Sequence, residues 1–172
     1  MPSPPTFTLR TYQASDLPAL VALFTASVQG LAAAQYDAAQ RLAWAPVQAD
    51  MQAWQTRLAG LTVLVAEDRG NLAGFIGFSA DGHIDLLYSS PRYARQGVAT
   101  ALYLQAEGEL TALGVPALFT EASLTARPFF ERHGFSVEQV QTLERGAVTL
   151  QRFAMRKPLR PCHLAPQPAP ME

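Results

Sequence analysis

The stretch Ser90-Pro91-Arg92-Tyr93-Ala94-Arg95-Gln96-Gly97-Val98-Ala99-Thr100 joins an apolar run, His83 to Ser89, to an amphipathic run, Val98 to Leu113. The first run reads as a strand and the second as a helix. A strand, a tight turn of small residues and a helix together make a phosphate cradle. The first turn of a helix has N–H groups without helical acceptors and a partial positive charge, and both favour an anion. Gly97 and Ala99 let successive backbone N–H groups approach a pyrophosphate as a concave nest. Arg95 can add a charge-assisted contact. A Walker loop is excluded because no Gly-Lys-Ser/Thr ending is present, and the dinucleotide fingerprint because the segment has one glycine where three are needed.

Working outward, Leu61–Glu67 and Leu72–Phe78 are apolar and rich in strand-forming residues, with the turn Asp68-Arg69-Gly70-Asn71 between them. Asp81-Gly82 turns the chain into His83–Ser89, so three strands are predicted to meander antiparallel. Upstream, Phe7–Tyr12 alternates as a short strand. Ser15 or Asp16 can cap a helix whose first turn suits Pro18. In that helix Leu17, Leu20, Val21, Phe24, Val28 and Leu31 recur at helical steps. Shorter helices are predicted over Asp37–Trp44, stopped at Pro46, and over Asp50–Leu58, ended by Gly60.

Downstream of the loop, Val98, Ala101, Leu102, Ala106, Leu110 and Leu113 form one stripe, and Gly114 closes the helix. Leu118–Ser123 follows a helical crossover and should run parallel to His83–Ser89. Thr125 is expected to cap a short helix ending at Gly134. Phe135–Thr142 and Val148–Lys157 read as two final strands with a turn near Gly146. The order predicts one α/β domain, residues 1–158, with a mixed, mostly antiparallel central sheet and helices on both faces. A proline-rich tail, 159–172, follows it.

The 172 residues fit one domain of ordinary size, and 49% hydrophobic against 16% charged residues is enough apolar material for a real core. A net charge of −1 without a basic run argues against nucleic acid as a partner. No apolar run approaches the length of a membrane span, and Met1-Pro2-Ser3-Pro4-Pro5 lacks the order of a signal peptide. A cytoplasmic protein is the expectation. The single cysteine, Cys162, forms no internal disulfide and stands far from the loop in sequence. Three scattered histidines give no metal-ligand spacing.

The pattern Arg95-Gln96-Gly97-Val98-Ala99, after Leu87-Tyr88-x-x-Pro91-x-Tyr93, resembles the coenzyme A pyrophosphate loop of the GNAT superfamily of N-acetyltransferases. Thr120-Glu121-Ala122-Ser123 followed by Ala126-Arg127-Pro128-Phe129-Phe130-Glu131-Arg132-His133-Gly134-Phe135 is similar to that superfamily's later strand, helix and Gly-Phe corner. The resemblance covers roughly residues 5–158, and with Tyr36-Asp37 to Trp44-Ala45-Pro46 it is to small bacterial members of unassigned acceptor. It implies acetyl-CoA as cosubstrate and transfer of acetyl to a primary amine, on a small molecule or a protein, by direct attack in a ternary complex. It also implies that the strand before the loop and the strand after the long helix splay apart to admit the pantetheine arm. Dimers are common in the superfamily, and the last strand or the tail could serve that contact. A rival from another class is a non-catalytic acyl-CoA-binding module that regulates a partner.

Carried onto this chain, the resemblance places Arg95, Gln96, Gly97, Val98, Ala99 and Thr100 at the pyrophosphate. It places the main chain of Leu87, Tyr88 and Ser89 along pantetheine, and Ser123 where many relatives carry asparagine. The chain departs from the family twice. Ala94 stands where glutamine or arginine is usual, which removes one side-chain contact. Phe130 stands at the usual tyrosine, so it can pack against the arm but cannot protonate a thiolate. Tyr88, another tyrosine or water would then supply the proton, or the thiolate leaves without one, a comparable thiol having a pKa of about 8.5.

For the base, strand alternation puts His83, Asp85 and Leu87 on one face. A charged Asp85 within a central strand is costly unless paired or facing a wet cleft. Glu121 shares its face with Phe119 and Ser123. His83, Asp85 and Glu121 are therefore either an active-site cluster of base and amine anchor or a satisfied polar pair that holds register. Tyr36, Trp44 and Trp54 lie in the region expected to close over the acceptor, although such aromatics are more often core. The few charges nearby suit a small, partly apolar amine.

Overall fold

Seven strands and five helices follow one another in the computed structural model, which describes residues 7–31 and 33–160. They are β1 (Thr8–Thr11), α1 (Leu17–Leu31), α2 (Ala38–Trp44), α3 (Met51–Ala59), β2 (Thr62–Asp68), β3 (Asn71–Phe78) and β4 (His83–Ser89). Then come α4 (Val98–Ala112), β5 (Ala117–Ser123), α5 (Arg127–Arg132), β6 (Ser136–Arg145) and β7 (Val148–Pro158). Residues Met1–Pro5, Cys162 and the tail beyond Arg160 lie outside the described residues, as does the side chain of Leu31. The strands form one sheet in the order β1-β2-β3-β4-β5-β7-β6, antiparallel throughout except for β4 beside β5. No helix among the described residues is long and apolar enough to cross a membrane.

Local chemistry explains most boundaries. Asp37 Oδ1 accepts from the Gln40 amide at 2.7 Å and Asp50 Oδ1 from the Ala53 amide at 3.0 Å, which caps α2 and α3. Two expected caps are corrected. Ser15 and Asp16 lie inside a single 3-10 turn leading into α1, and Asp16 instead bonds the Gln13 amide and Arg10, both at 2.8 Å. Before α5, the Ser123 hydroxyl accepts from the Ala126 amide at 3.1 Å, and Thr125 Oγ1 is buried with no partner among the described residues.

The sheet has a core on each face. Ile76, Ile84, Leu118, Ala122, Phe130, Phe153 and Met155 pack with Leu102, Ala106 and Leu110 of α4 on one side. Val65, Phe75 and Leu86 pack with Leu20, Phe24 and Val28 of α1 on the other. Gly74 sets how closely α4 can approach. A Cβ there would lie 2.6 Å from Val98 Cγ1 and 2.9 Å from the Tyr88 carbonyl oxygen. Gly74→Val is therefore expected to destabilise the fold by about 1–3 kcal/mol. Thermal unfolding should show this as a midpoint lowered by roughly 2–10 °C.

Two irregularities in β4 shape the cleft. In the first, Phe78 pairs with Ile84 and Gly77 with Leu86, so Asp85 is an extra, bulged residue. The bulge breaks simple alternation. Ile84 and Leu87 both pack on the α4 side, and Leu86 and Tyr88 on the α1 side. Leu87 thus leaves the face that alternation predicts it to share with His83 and Asp85. In the second, β4 pairs with β5 only at His83–Phe119 and Ile84–Thr120. Beyond that point β4 stays with β3 as far as Ser89, and β5 stays with β7 as far as Ser123. The two strands open into a wedge. The Thr120 hydroxyl donates to the Ile84 carbonyl at 2.8 Å and staples its apex.

Candidate active site

A cavity of about 890 Å³ runs from the Arg95–Thr100 loop across the wedge to α2, α3 and the β6–β7 hairpin. That is the size of a site for a cofactor plus a small substrate. At the loop end, Ser90 Oγ accepts from the Arg92 amide and opens a 3-10 turn, Pro91–Tyr93. The buried Tyr93 donates its hydroxyl to Asp68 at 3.2 Å and anchors the turn. Arg95 (φ 61°) and Gly97 (φ 83°) are both left-handed, which costs a non-glycine residue such as Arg95 of order 1 kcal/mol. The first amide to reach back into α4 is that of Ala101, to the Gly97 carbonyl at 3.0 Å. The N–H groups of Val98, Ala99 and Thr100 are left at the helix start without helical acceptors. The Val98 side chain is buried beneath them, and a Cβ on Gly97 would meet nothing within 4 Å. Gln96 is the exception among the predicted loop residues. It does not line the cavity, and its amide is taken by the Tyr93 carbonyl at 3.3 Å.

Leu87, Tyr88 and Ser89 line one edge of the wedge, and Glu121 and Ser123 the other. Phe130 is 3% exposed and sits edge-on to Phe129, Phe135 and Tyr103, with its ring against the cavity wall. Tyr88 packs between Phe24, Phe75 and Trp44. Burial pushes its hydroxyl up to about 12, against the opposing effects of Trp44 and the Arg57 guanidinium. It stays protonated at neutral pH and can donate a hydrogen bond.

The three candidate bases separate into two pairs. His83 Nε2 and Glu121 Oε2 are 2.6 Å apart, with the His83 ring stacked on Phe119. Asp85 is gripped by Arg57 of α3, at 2.9 Å from Nε and 3.1 Å from Nη2. Burial works against the Arg57 charge, but the two bonds to Asp85 outweigh it and its pKa is raised. Both pairs lie on the face covered by α1 and α3. Asp85 and Glu121 are neighbours there, on either side of the point where β4 and β5 part. Glu121 lines the cavity, and its bond to His83 engages only Oε2.

Tyr36 and Trp44 line the acceptor end, but Tyr36 has a fixed structural task. It is 5% exposed, its hydroxyl accepts from the Leu124 amide at 2.8 Å, and it donates to the Gln151 carbonyl at 3.3 Å. It ties the segment before α2 to the ends of β5 and β7. Trp44 stands edge-on to Tyr36 at 5.3 Å and near Tyr88 at 6.4 Å. Among the cavity's arginines, Arg57, Arg132, Arg145 and Arg152 are given no site role by the sequence. Nothing local marks them, because each is brought in by tertiary pairing.

The acetyltransferase (GNAT) domain family matches residues 31–157. The uncharacterised N-acetyltransferase YafP of Escherichia coli is 37% identical over 151 residues, 86% of this chain and 93% of that protein. A GCN5-related N-acetyltransferase from Rhodopseudomonas palustris superposes with a TM-score of 0.85 at 33% identity, covering 91% of this chain and 97% of that one. The PaiA N-acetyltransferase of Thermoplasma acidophilum, solved in complex with coenzyme A, gives 0.71 at 21% identity over 90% and 99%.

Proposed function

The chain belongs to the GNAT acetyltransferase family, and on that premise we propose that it moves acetyl from acetyl-CoA to a primary amine by direct attack in a ternary complex. The observation that carries this is the wedge between β4 and β5, with an open, left-handed loop and a helix start at its mouth. The amides of Val98, Ala99 and Thr100 and the Arg95 side chain would hold the pyrophosphate. The main chain of Leu87, Tyr88 and Ser89 would flank pantetheine and the thioester. Ala94 offers no side-chain contact, so the amides do most of the holding.

Glu121 is the proposed base. It lines the cavity, and its bond to His83 uses one carboxylate oxygen and leaves the other for the amine. The amine nitrogen attacks the thioester carbonyl carbon, and its proton goes to Glu121 directly or through one water. The C–S bond then breaks, giving the amide and coenzyme A thiolate. Backbone N–H groups at the wedge edge would bond the oxyanion. Asp85, locked to Arg57, shapes the acceptor end of the cavity.

Phe130 leaves no acid at its position. A thiol with a pKa of about 8.5 leaves as thiolate without an enforced donor, and Tyr88 supplies at most a hydrogen bond. Phe130→Tyr is therefore expected to give no gain in kcat in a coenzyme A release assay. A clear gain would show that thiolate protonation limits the rate. The overall reading is tested by thermal unfolding with and without acetyl-CoA. A ligand at about 100 times its dissociation constant adds roughly 2.7 kcal/mol and should raise the midpoint by several degrees. No rise at saturation would remove the enzyme reading.

A further inference from the structure

The acceptor end of the cavity has an uneven charge arrangement. Of the three acids lining the cavity, Asp85 is bonded to Arg57 and Glu121 to His83, while Asp50 caps α3 through the Ala53 amide. Four guanidinium groups lining the same cavity, those of Arg95, Arg132, Arg145 and Arg152, have no carboxylate partner among the described residues, and of these Arg145 and Arg152 belong to the β6–β7 hairpin at the acceptor end. Arg152 is half-buried, and its Nε donates to Gln141 Oε1 at 2.7 Å. That bond holds the fork and leaves the terminal N–H groups for a ligand. Such a fork matches a carboxylate in both charge and shape.

Register fixes where Arg152 stands relative to the base. Ser123 pairs with Arg152 and Glu121 with Ala154, so Glu121 and Arg152 are diagonal neighbours on one face of adjacent antiparallel strands. Backbones so placed are about 7–8 Å apart. Two long side chains rising from them can converge on groups separated by a single carbon. Beside them, Trp44, Leu143 and Leu150 form an apolar shelf with Tyr36.

We infer that the acceptor is a free α-amino acid with an apolar side chain, an assignment that rests on the acetyl-transfer reading above. Its carboxylate binds Arg152, its amine faces Glu121 and its side chain lies on the Trp44–Leu143–Leu150 shelf. Arg145, which shares that face with Leu143 and Gln141, adds positive potential at the mouth. A polyamine would meet guanidinium groups and no unbonded acid pair. A peptide N-terminus would bring an amide where Arg152 requires an anion.

The test is coenzyme A release by the full chain with acetyl-CoA and the standard amino acids. Phenylalanine and leucine are each compared with their amides and with the corresponding amines lacking the carboxylate. The free acids are expected to exceed both analogues by at least tenfold in kcat/KM. Arg152→Gln should lower kcat/KM for the acids by roughly 10- to 100-fold and remove most of their advantage over the analogues. Arg152→Lys, which keeps the charge and loses the fork, should fall between. Amides acetylated as well as acids would overturn the inference. So would a protein stabilised by acetyl-CoA that acetylates no amino acid. Absence of any stabilisation by acetyl-CoA would instead remove the acetyl-transfer reading, and this assignment with it.

Discussion

Gly97→Glu is expected to abolish acetyl-CoA binding, raising the dissociation constant at least 100-fold, a loss of roughly 2.7 kcal/mol. Three facts combine in this position. Gly97 has φ 83°, a conformation that L side chains resist. A Cβ there would meet nothing within 4 Å, so a glutamate side chain next to the first amides of α4 has room to reach the cradle. A carboxylate would then satisfy those amides and repel the pyrophosphate. The measurement is the midpoint shift on adding acetyl-CoA, several degrees in the parent and none in the variant. Gly97→Ala separates the causes. It carries the same backbone strain and no charge, so its unliganded midpoint should fall while a reduced ligand shift remains. Normal binding by Gly97→Glu would show that the pyrophosphate does not lie at this loop.

The strand–loop–helix unit was legible because each of its signals is local. An apolar run, Gly97 and the stripe from Val98 to Leu110 are all readable within one window, and they fall where β4 and α4 are found. The face shared by His83, Asp85 and Glu121 was legible too, because alternation survives up to the bulge. Leu87 falls on the opposite face from the one alternation predicts, because one extra residue, Asp85, exchanges the faces of everything after it. Nothing in His83-Ile84-Asp85-Leu86 announces that insertion, since it depends on how Gly77 and Phe78 pair opposite. The wedge was available only through the family resemblance. Its cause is that β4 follows β3 while β5 follows β7, and that is a property of two pairings, not of either sequence. The partner of Asp85 was hidden for the same reason. Arg57 lies 28 residues before Asp85, and only the packing of α3 on the sheet brings them together. Thr125 reads as a cap because threonine favours that role. Ser123 wins because the end of β5 places its hydroxyl nearer the Ala126 amide.

Glu121→Gln is expected to lower kcat by roughly 10²- to 10⁴-fold, the range of a lost general base, with the KM for acetyl-CoA unchanged. The substitution keeps the shape of the side chain. The glutamine amide can still bond His83, so the strand pairing at the wedge apex and the midpoint shift with acetyl-CoA should persist. What disappears is the oxygen that takes the amine proton. The pH profile distinguishes this from a structural effect. Raising the pH increases the free amine in solution and lessens the need for a base, so the deficit should narrow toward high pH. A structural lesion would give a constant deficit. His83→Ala should produce a smaller loss with the same pH trend, because Glu121 remains but is no longer held. Asp85→Asn should behave differently. Its target is the Arg57 pair, 2.9 and 3.1 Å long, and breaking that pair leaves a guanidinium without its counter-charge at the acceptor end. The expected result is a raised acceptor KM with kcat largely kept. If Asp85→Asn lost turnover and Glu121→Gln did not, the base would lie on β4, and the His83–Glu121 pair would serve only to hold the two strands in register.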